Sequence, residues 1–598
     1  MTGPRPAVRI GNCSGFYGDR IAAAREMVEG GPIDVLTGDY LAELTMLILW
    51  KARRKDPAAG YARTFLTQLE QVLGTCLDRG TRIVVNAGGL NPAGLAERVA
   101  AVAEKLGLAP RVAHVAGDDL ADRLGELQAA GHELANLDTG RKLGEAGLEP
   151  VTANAYLGGW GIAEALGGGA DVVVTGRVTD ASLVVGPAAW WHGWGREDWD
   201  ALSGAVAAGH VIECGPQATG GNYAFLEEVT DRRYPGFPIA EVAADGSSVI
   251  TKHPGTGGLV SVGTVTAQLL YEIAEPAYLG PDVVAHFDTA VLEQEGPDRV
   301  RISGTRGTPP PDRLKVALNA HGGYRNTATL VLTGLDIEEK AAWAEQELFD
   351  LLGGKESFAE ADVRLLRFDR PDAPTNEQAT AHLRITVKDA DPEKVGRRFS
   401  GAAWELALAG YAGFHTMSPP TGESAFAVYW PTTIPASEVT QVVVLPDGTS
   451  REVPHTAVSG TGTAPAPVAD VADGEVPDGE VPDGETVRAP LGRVCGARSG
   501  DKGGNANIGL WTRTDEAYRW LAAELTPDRL RELVPEVAGL EVRRFELPNL
   551  RALNFVVVGL LGDGVASATR PDPQAKGLGE YVRSRLVDVP ARLLPGPR

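Results

Sequence analysis

The chain has 598 residues, of which 43% are hydrophobic and 23% charged, and its formal net charge is −23. This length exceeds what one hydrophobic core supports, so we expect about two to four domains of ordinary globular composition. The negative charge argues against a nucleic-acid partner or an anionic membrane surface, and the sequence has no basic patch larger than the Arg53-Arg54-Lys55 cluster.

The cysteines and the apolar runs set further limits. Cys13, Cys76, Cys214 and Cys495 lie far apart without a CxxC spacing, which argues against a disulfide framework and a zinc knuckle. No apolar run is long enough to span a bilayer, and we find no signal-peptide core. We therefore expect a cytoplasmic protein. Abundant Ala and Gly, with few Lys relative to Arg, are typical of a GC-rich bacterial genome.

The first part of the chain predicts an α/β fold with a mainly parallel sheet, because short β-branched runs alternate with helical patterns. The predicted strands cover residues 7–10, 33–36, 81–85, 111–115 and 171–174. The predicted helices cover residues 21–28, 95–106 and the stretch before residue 169, and a helix after residue 40 is expected to bury Leu41, Leu44, Leu47 and Ile48. Open α/β sheets bind ligands at the carboxyl ends of their strands, so the polar residues there are the candidates for a site.

The first strand is followed by the glycine-rich stretch GNCSGFYGDR at 11–20. Its glycines do not have the GxGxxG spacing, so we interpret it as a polar loop that contacts a ligand rather than as a dinucleotide fingerprint. Within it, Asp19 is a candidate catalytic residue and Arg20 a candidate substrate-binding residue.

Three later strand ends carry further candidates. Glu43 lies one turn after Asp39, Asn86 follows the third strand, and Arg177 and Asp180 follow the buried run at 171–174. We predict catalytic roles for Glu43, Arg177 and Asp180, and carbonyl binding for Asn86. Two alternatives remain open: Glu43 only compensates a helix dipole, and the Arg177–Asp180 pair only ties down its loop.

Beyond residue 204 the pattern changes to loops followed by an α+β arrangement. Glu213, in a loop-like stretch at 210–216, is a candidate proton carrier, whereas Cys214 is better explained as a small packed side chain than as a nucleophile. The turn TKHPGTGG at 251–258 offers Lys252, His253 and Thr256 to a phosphate or carboxylate, unless it is only structural. A helix is expected at 265–273, antiparallel strands within 278–333, a helix at 337–352, a strand at 381–387 and a helix at 394–408.

Residues 456–489 predict a disordered, acidic, Pro/Gly-rich linker, since a sequence such as the tandem GEVPD repeat at 474–483 cannot bury enough apolar surface to order itself. It separates a large α/β domain at 1–455, with a subdivision near residue 204, from a small α+β domain at 490–598. The small domain is expected to begin with a strand at 491–495 and a polar loop at 497–507. The predicted substrate-binding residues of that loop are Arg498, Ser499, Asp501, Lys502, Asn505 and Asn507. The alternative is a plain hairpin tip with Asp501 paired to Lys502.

The motifs of the chain resemble those of the acyclic terpene utilisation family, AtuA, over nearly the full length. The large-domain motifs are GFYGDR at 15–20, DYLAELT at 39–45, VTGRVTD at 174–180, IECG at 212–215 and TKHPGTGG at 251–258. The C-terminal motifs are ARSGDKG at 497–503, NANIG at 505–509, LPNL at 547–550 and LNF at 553–555. The resemblance implies a role in bacterial breakdown of acyclic terpenes and in acyl-CoA pathways for branched acids, and it transfers no catalytic residues.

The sequence thus favours a lyase- or hydratase-type enzyme that hydrates a branched or isoprenoid acyl or acyl-CoA intermediate, or catalyses the reverse elimination. No cofactor or metal site is predicted, and CoA enters only as part of the substrate. We expect a homo-oligomer with a small-molecule substrate and no nucleic-acid or membrane partner. The alternatives are a non-catalytic protein that binds acyl ligands or acts as a scaffold, and a metal-assisted hydrolase.

Overall fold

A computed structural model describes residues 5–456, 480–482 and 484–595 of the chain. They form two compact units: the first takes its described residues from 1–319, 429–565 and 574–598, and the second consists of 320–428 and 566–573. Most of the predicted linker, namely 457–479 and residue 483, lies outside the described residues. No helix among the described residues is both long and apolar enough to cross a bilayer.

The fold is of the mixed α/β type, as predicted. The strands are β1 (Val8–Asn12), β2 (Val35–Gly38), β3 (Arg82–Val85), β4 (Val112–Ala116), β5 (Pro150–Ala155), β6 (Val172–Thr175), β7 (Pro238–Val242), β8 (Ser248–Lys252), β9 (Ala277–Leu279), β10 (Val284–His286), β11 (Val291–Gly296), β12 (Arg299–Ser303), β13 (Arg306–Thr308), β14 (Arg313–Thr333), β15 (Glu360–Arg367), β16 (Thr380–Asp389), β17 (His415–Thr416), β18 (Ser424–Pro435), β19 (Gln441–Val444), β20 (Ser450–Val453), β21 (Thr486–Pro490), β22 (Cys495–Lys502), β23 (Asn505–Thr512), β24 (Val542–Leu547), β25 (Ala552–Val557) and β26 (Leu586–Pro590). The α-helices are α1 (Ala23–Gly30), α2 (Glu43–Lys55), α3 (Arg63–Arg79), α4 (Pro92–Lys105), α5 (Leu124–Ala129), α6 (Leu143–Ala146), α7 (Trp160–Gly167), α8 (Ser182–His192), α9 (Trp199–Ile212), α10 (Val262–Leu269), α11 (Ile337–Leu352), α12 (Phe399–Ala409), α13 (Asp515–Glu524), α14 (Pro527–Leu533) and α15 (Leu578–Ser584).

The first unit is built around a long sheet with the strand order β11-β12-β8-β7-β1-β2-β3-β6-β4-β19-β20. Its middle strands β1, β2, β3, β6 and β4 run parallel to one another, and β7 and β19 flank them in antiparallel pairing. This confirms the predicted parallel sheet. The parallel arrangement brings the carboxyl ends of β1, β2, β3 and β6 to one edge.

Alternate residues of the parallel strands face two different helical layers. Ile83 and Val174 pack in a core with α1, α3 and α4, whereas Val84 and Val173 belong to the core that α7, α8 and α9 cover. Because helices cover both faces, β3 and β6 consist almost entirely of β-branched residues and do not alternate with polar ones.

Two local predictions were wrong. In α2, Leu44 and Ile48 are 44% and 41% exposed, whereas Leu47 is buried as predicted, together with Thr45, Met46 and Leu49. The stretch at 210–212 is not a loop but the last turn of α9, whose small and apolar residues are buried on nearly all sides.

The second unit has a sheet in which β16 pairs with β15 and with the part of β14 that begins at Ala320. Helices α11 and α12 supply its core together with strand residues such as Leu330 and Leu383. The predicted helix at 337–352 is confirmed as α11.

The C-terminal residues of the first unit form a sheet with the order β22-β23-β25-β24, whose core includes Tyr518, Leu521 and Phe555. The prediction of a polar loop at 497–507 was wrong. These residues belong to the hairpin of β22 and β23, in which Arg498 pairs with Gly509 and Lys502 with Asn505. The predicted strand at 491–495 is a short 3-10 turn that leads into β22.

Tight packing of α8 on α7 gives a stability prediction. A Cβ at Gly186 would lie 2.6 Å from Ile162 Cβ and 2.7 Å from the carbonyl oxygen of Gly159. Gly186→Ala should therefore destabilise the protein by about 1–3 kcal/mol. A Cβ at the exposed helical Gly125 would have no atom within 4 Å, so Gly125→Ala should be neutral or stabilising by up to about 1 kcal/mol. Urea unfolding followed by tryptophan fluorescence compares both variants, and equal midpoints would contradict the prediction.

Candidate active site

The candidate site lies at the edge where the parallel strands end. Asp39 follows β2, Asn86 follows β3, and Arg177 and Asp180 follow β6, so the fold brings together side chains that are far apart in sequence. Glu213, directly after α9, is added to them, since the Asn12 side chain donates a hydrogen bond to its carbonyl oxygen at 3.2 Å.

Arg177 is the buried cation at the centre of this group. Its Nη1 donates to Asp180 Oδ1 at 2.7 Å, and its guanidinium carbon lies 4.3 Å from the centre of the Tyr156 ring. Its main-chain N–H donates to Asp118 Oδ2 at 2.8 Å. Both ends of the residue are thereby fixed, and only 4% of it is exposed.

Asp39 lies beside the Arg177–Asp180 pair. Asn86 Nδ2 donates to Asp39 Oδ1 at 2.6 Å, and Asn86 Oδ1 accepts from the N–H of Tyr40 at 2.8 Å. Burial and the neighbouring charge of Asp180 raise the pKa of Asp39 well above its ordinary value, although Arg177 and Asn86 act against this shift. Asn86 thus fixes in place a carboxyl group whose burial favours the protonated form.

Glu213 and His210 form a second buried pair. His210 Nδ1 lies 3.4 Å from Glu213 Oε1, and the imidazole packs against the rings of Tyr278 and Phe287. Burial, followed by the charges of Asp180 and Glu272, raises the pKa of Glu213 well above its ordinary value. Burial and the charge of Lys502 lower the pKa of His210 to about 4. Both shifts favour the uncharged forms, which are a protonated carboxyl group and a neutral imidazole.

Glu43 begins α2 and faces Lys315 of β14, whose Nζ is 3.9 Å from Glu43 Oε1. The Lys315 ammonium also lies over two aromatic rings, 4.9 Å from the centre of Tyr156 and 5.9 Å from that of Tyr429. Burial raises the pKa of Glu43, and the charge of Lys315 opposes the shift.

The C-terminal hairpin contributes charged groups to the same site. Lys502 Nζ donates to the carbonyl oxygen of Glu272 at 2.9 Å, and burial together with the charge of Lys315 lowers the pKa of Lys502. Asp501 Oδ1 is 3.4 Å from Lys576 Nζ. Burial and the charge of Glu272 raise the pKa of Asp501 to about 7.

Neutral side chains hold the hairpin in place. Asn507 Oδ1 accepts from the N–H of Glu272 at 2.9 Å, and its Nδ2 donates to the carbonyl oxygen of Leu270 at 3.0 Å. Asn505 Nδ2 donates to Asp138 Oδ1 at 2.7 Å. Ser499 Oγ donates to the carbonyl oxygen of Ala575 at 2.7 Å.

Comparisons with known protein families match a large part of the chain and a separate C-terminal part. A family model described as acyclic terpene utilisation family protein AtuA matches residues 8–445, which is more than half of the chain. The chain belongs to the AtuA family. A second model, the AtuA ferredoxin-like domain, matches residues 489–588, which contain the hairpin. No curated protein matches the chain significantly.

Of the five predicted catalytic residues of this AtuA protein, four come together: Glu43, Arg177, Asp180 and Glu213. Their charges influence one another, since Asp180 and Arg177 both shift the pKa of Glu213, and Arg177 also shifts that of Glu43. Asp19 is instead engaged with its own loop, where its carboxylate accepts from the N–H groups of Gly15 and Arg20.

The predicted substrate-binding residues divide between the site and other places. Arg498 is near the site, with its guanidinium 4.4 Å from the centre of the Tyr271 ring. Arg20 pairs with Glu26, away from the residues described above.

The polar side chains of the turn at 251–258 have partners within the protein. Lys252 Nζ lies 3.0 Å from Asp298 Oδ2 and donates to the carbonyl oxygen of Thr256 at 2.9 Å. His253 Nε2 is 2.8 Å from the Met27 carbonyl oxygen, and Thr256 Oγ1 donates to the His253 carbonyl oxygen. A ligand role for these three residues stays a prediction.

Sequence reasoning missed Tyr156, Tyr278, Lys315, Glu272 and Lys576 of this site. None of them belongs to a motif whose spacing indicates chemistry. Among the described residues, no group of three or more His, Cys, Asp or Glu side chains is placed so that it could hold a metal ion.

Asp118, which holds the main chain of Arg177, gives a prediction about pH. Burial raises the pKa of this carboxyl from 3.8 to about 7, against the hydrogen bonds from Arg177 and Asn154. The folded protein therefore binds the proton more tightly than the unfolded chain, so this carboxyl should make stability fall as pH rises from about 4 to about 7. One pKa unit corresponds to about 1.4 kcal/mol, so the loss is at most about 4 kcal/mol.

Asp118→Asn should remove this fall, making the variant more stable than the native protein at pH 8 but not at pH 4. Urea unfolding at a series of pH values measures the difference. The neighbouring Asp119→Asn, at a partly exposed carboxylate paired with Arg53, is the matched control. Parallel pH profiles for Asp118→Asn and the native protein would contradict the argument.

Proposed function

We propose that this AtuA protein catalyses proton transfer without a cofactor, hydrating a branched or isoprenoid acyl or acyl-CoA intermediate or carrying out the reverse elimination. The observation that carries the proposal is the meeting of two unlike carboxyl groups: Glu213, whose pKa burial raises well above its ordinary value, and Asp180, which is ion-paired with Arg177. Environments that differ in this way are how carboxyl groups divide the roles of acid and base.

Glu213 suits the role of acid. It is 8% exposed, and its Oε2 has no hydrogen-bond partner among the described residues. A buried, protonated carboxyl group with an unengaged oxygen can donate its proton to a bound substrate. His210 Nδ1 lies 3.4 Å from the other oxygen, without a hydrogen bond between the two atoms.

Asp180 suits the role of base. Its side chain is 28% exposed, so a ligand at the strand ends can reach it. In this proposal Asp180 removes a proton next to the substrate carbonyl, while Arg177 stabilises the enolate-like oxygen that develops.

The aromatic rings suit an acyl chain. Tyr156 and Tyr278 line the group of charged residues, and their ring faces offer apolar contact to an isoprenoid tail. Membership of a family named for acyclic terpene utilisation supports a substrate of this class.

Incubation with a cell metabolite extract identifies the compounds that the protein consumes. Exchange of substrate hydrogen in D₂O, followed by mass spectrometry, then measures the proton transfer itself. We expect Glu213→Gln and Asp180→Asn each to slow exchange by about 10²–10⁴-fold, because each removes one proton-transfer group.

Glu104→Gln, an exposed carboxylate on α4, is the matched control and should exchange at the native rate. Native rates in both site variants would contradict the proposal. Ligand binding without exchange in the native protein would favour a binding protein instead.

A further inference from the structure

Two lysines of the site have hydrogen-bonding capacity that the protein does not use. Lys315 Nζ makes no hydrogen bond to the described residues, and its one carboxylate neighbour, Glu43, is 3.9 Å away. Lys502 Nζ makes one hydrogen bond, to a main-chain carbonyl, and no ion pair within 4 Å among the described residues. An ammonium group has three donors, so both lysines can bind further acceptors.

The other cations near the strand ends differ in this respect. Arg177 is paired with Asp180 at 2.7 Å. Lys252, which is buried, is paired with Asp298 at 3.0 Å and donates to a carbonyl oxygen as well. Lys315, whose side chain is 36% exposed, and Lys502 are therefore less completely paired than this buried lysine.

The two lysines approach the same ring: Lys315 Nζ lies 5.9 Å from the centre of Tyr429, and a Cβ at Gly503, next to Lys502, would lie 3.3 Å from Cε1 of that ring. In agreement with this, the charge of Lys315 is the leading charge effect that lowers the pKa of Lys502. Their apolar contacts are aromatic rings: Tyr156 and Tyr429 for Lys315, and Tyr278 for Lys502 at 5.7 Å. Neighbouring cations with unused donors form a site that an anion would stabilise.

We infer that Lys315 and Lys502 together bind a carboxylate group carried by the substrate, so that the substrate has an ionised carboxylate in addition to its reacting carbonyl. This inference rests on the proposed function for the position of the reacting carbonyl. The carboxyl groups of Glu43 and Glu272 act on Lys502, and Glu43 also lies 3.9 Å from Lys315, so they would repel a doubly charged phosphate more strongly than a singly charged carboxylate.

The test measures binding and needs no turnover. The probes are 3-methylglutarate, which is a branched dicarboxylate, its dimethyl ester, which carries no carboxylate, and inorganic phosphate, each titrated into the full-length protein by ligand-observed NMR. We expect the dicarboxylate to bind about tenfold or more tightly than the ester, as a charge-assisted contact would give.

Lys315→Met and Lys502→Met should each weaken dicarboxylate binding by about tenfold and leave ester binding unchanged. Lys502→Arg keeps the charge and should restore most of the binding, which separates a lost contact from a misfolded hairpin. Lys105→Met, at an exposed lysine paired with Glu70, is the control.

Glu213→Gln should bind the dicarboxylate as the native protein does, so a failure of the proton-transfer proposal remains distinguishable from a failure of this one. Equal affinity for the dicarboxylate and the ester would overturn the inference. So would unchanged dicarboxylate binding in both Met variants, or tighter binding of phosphate than of the dicarboxylate.

Discussion

The buried guanidinium of Arg177 is the interaction on which the site depends. Several carboxyl groups meet at the strand ends, and their mutual repulsion away from water would be costly without a cation among them. Arg177 meets this need in a fixed position, because Asp118 holds its main chain, Asp180 holds its side chain and Tyr156 lies against its plane. Lysine could not reproduce this arrangement, since it lacks the planar group that stacks and the second set of donors.

One buried cation is not enough to ionise all of these groups. Burial keeps the pKa values of Asp39 and Glu213 well above their ordinary values even though Arg177 lowers both. Burial therefore favours the protonated forms of these carboxyl groups over a complete set of ion pairs. His210, whose pKa burial lowers to about 4, adds a neutral group and no further charge. A site of this kind suits acid–base chemistry better than tight structural pairing, which would leave no proton to give.

Much of this arrangement follows from local sequence. The parallel strands and the polar residues after them were predictable, because buried β-branched runs and strand ends have local signatures; Arg177 and Asp180 were found in this way. Lys315 and Tyr278 were not, since their place in the site depends on which strands pair across long stretches of chain. Asp19 is a different case: a carboxylate in a glycine-rich loop suggests ligand chemistry, and this one accepts hydrogen bonds from its own loop, so its catalytic role stays a prediction.

The hairpin at 495–512 was not predictable from the sequence for a related reason: its buried strands are too polar to show apolar alternation. The alternation is nevertheless present in the contacts. Arg498 and Lys502 lie over the rings of Tyr271 and Tyr278, whereas Ser499 and Asp501 face residues 575–576. A slip of one residue in register exchanges the two faces of a strand. Such a slip would place Asp501 where Lys502 now stands and reverse the sign of the charge beside Tyr278. The hydrogen bonds of Asn507 that fix the hairpin on residues 270–272 therefore also fix the electrostatics of the site.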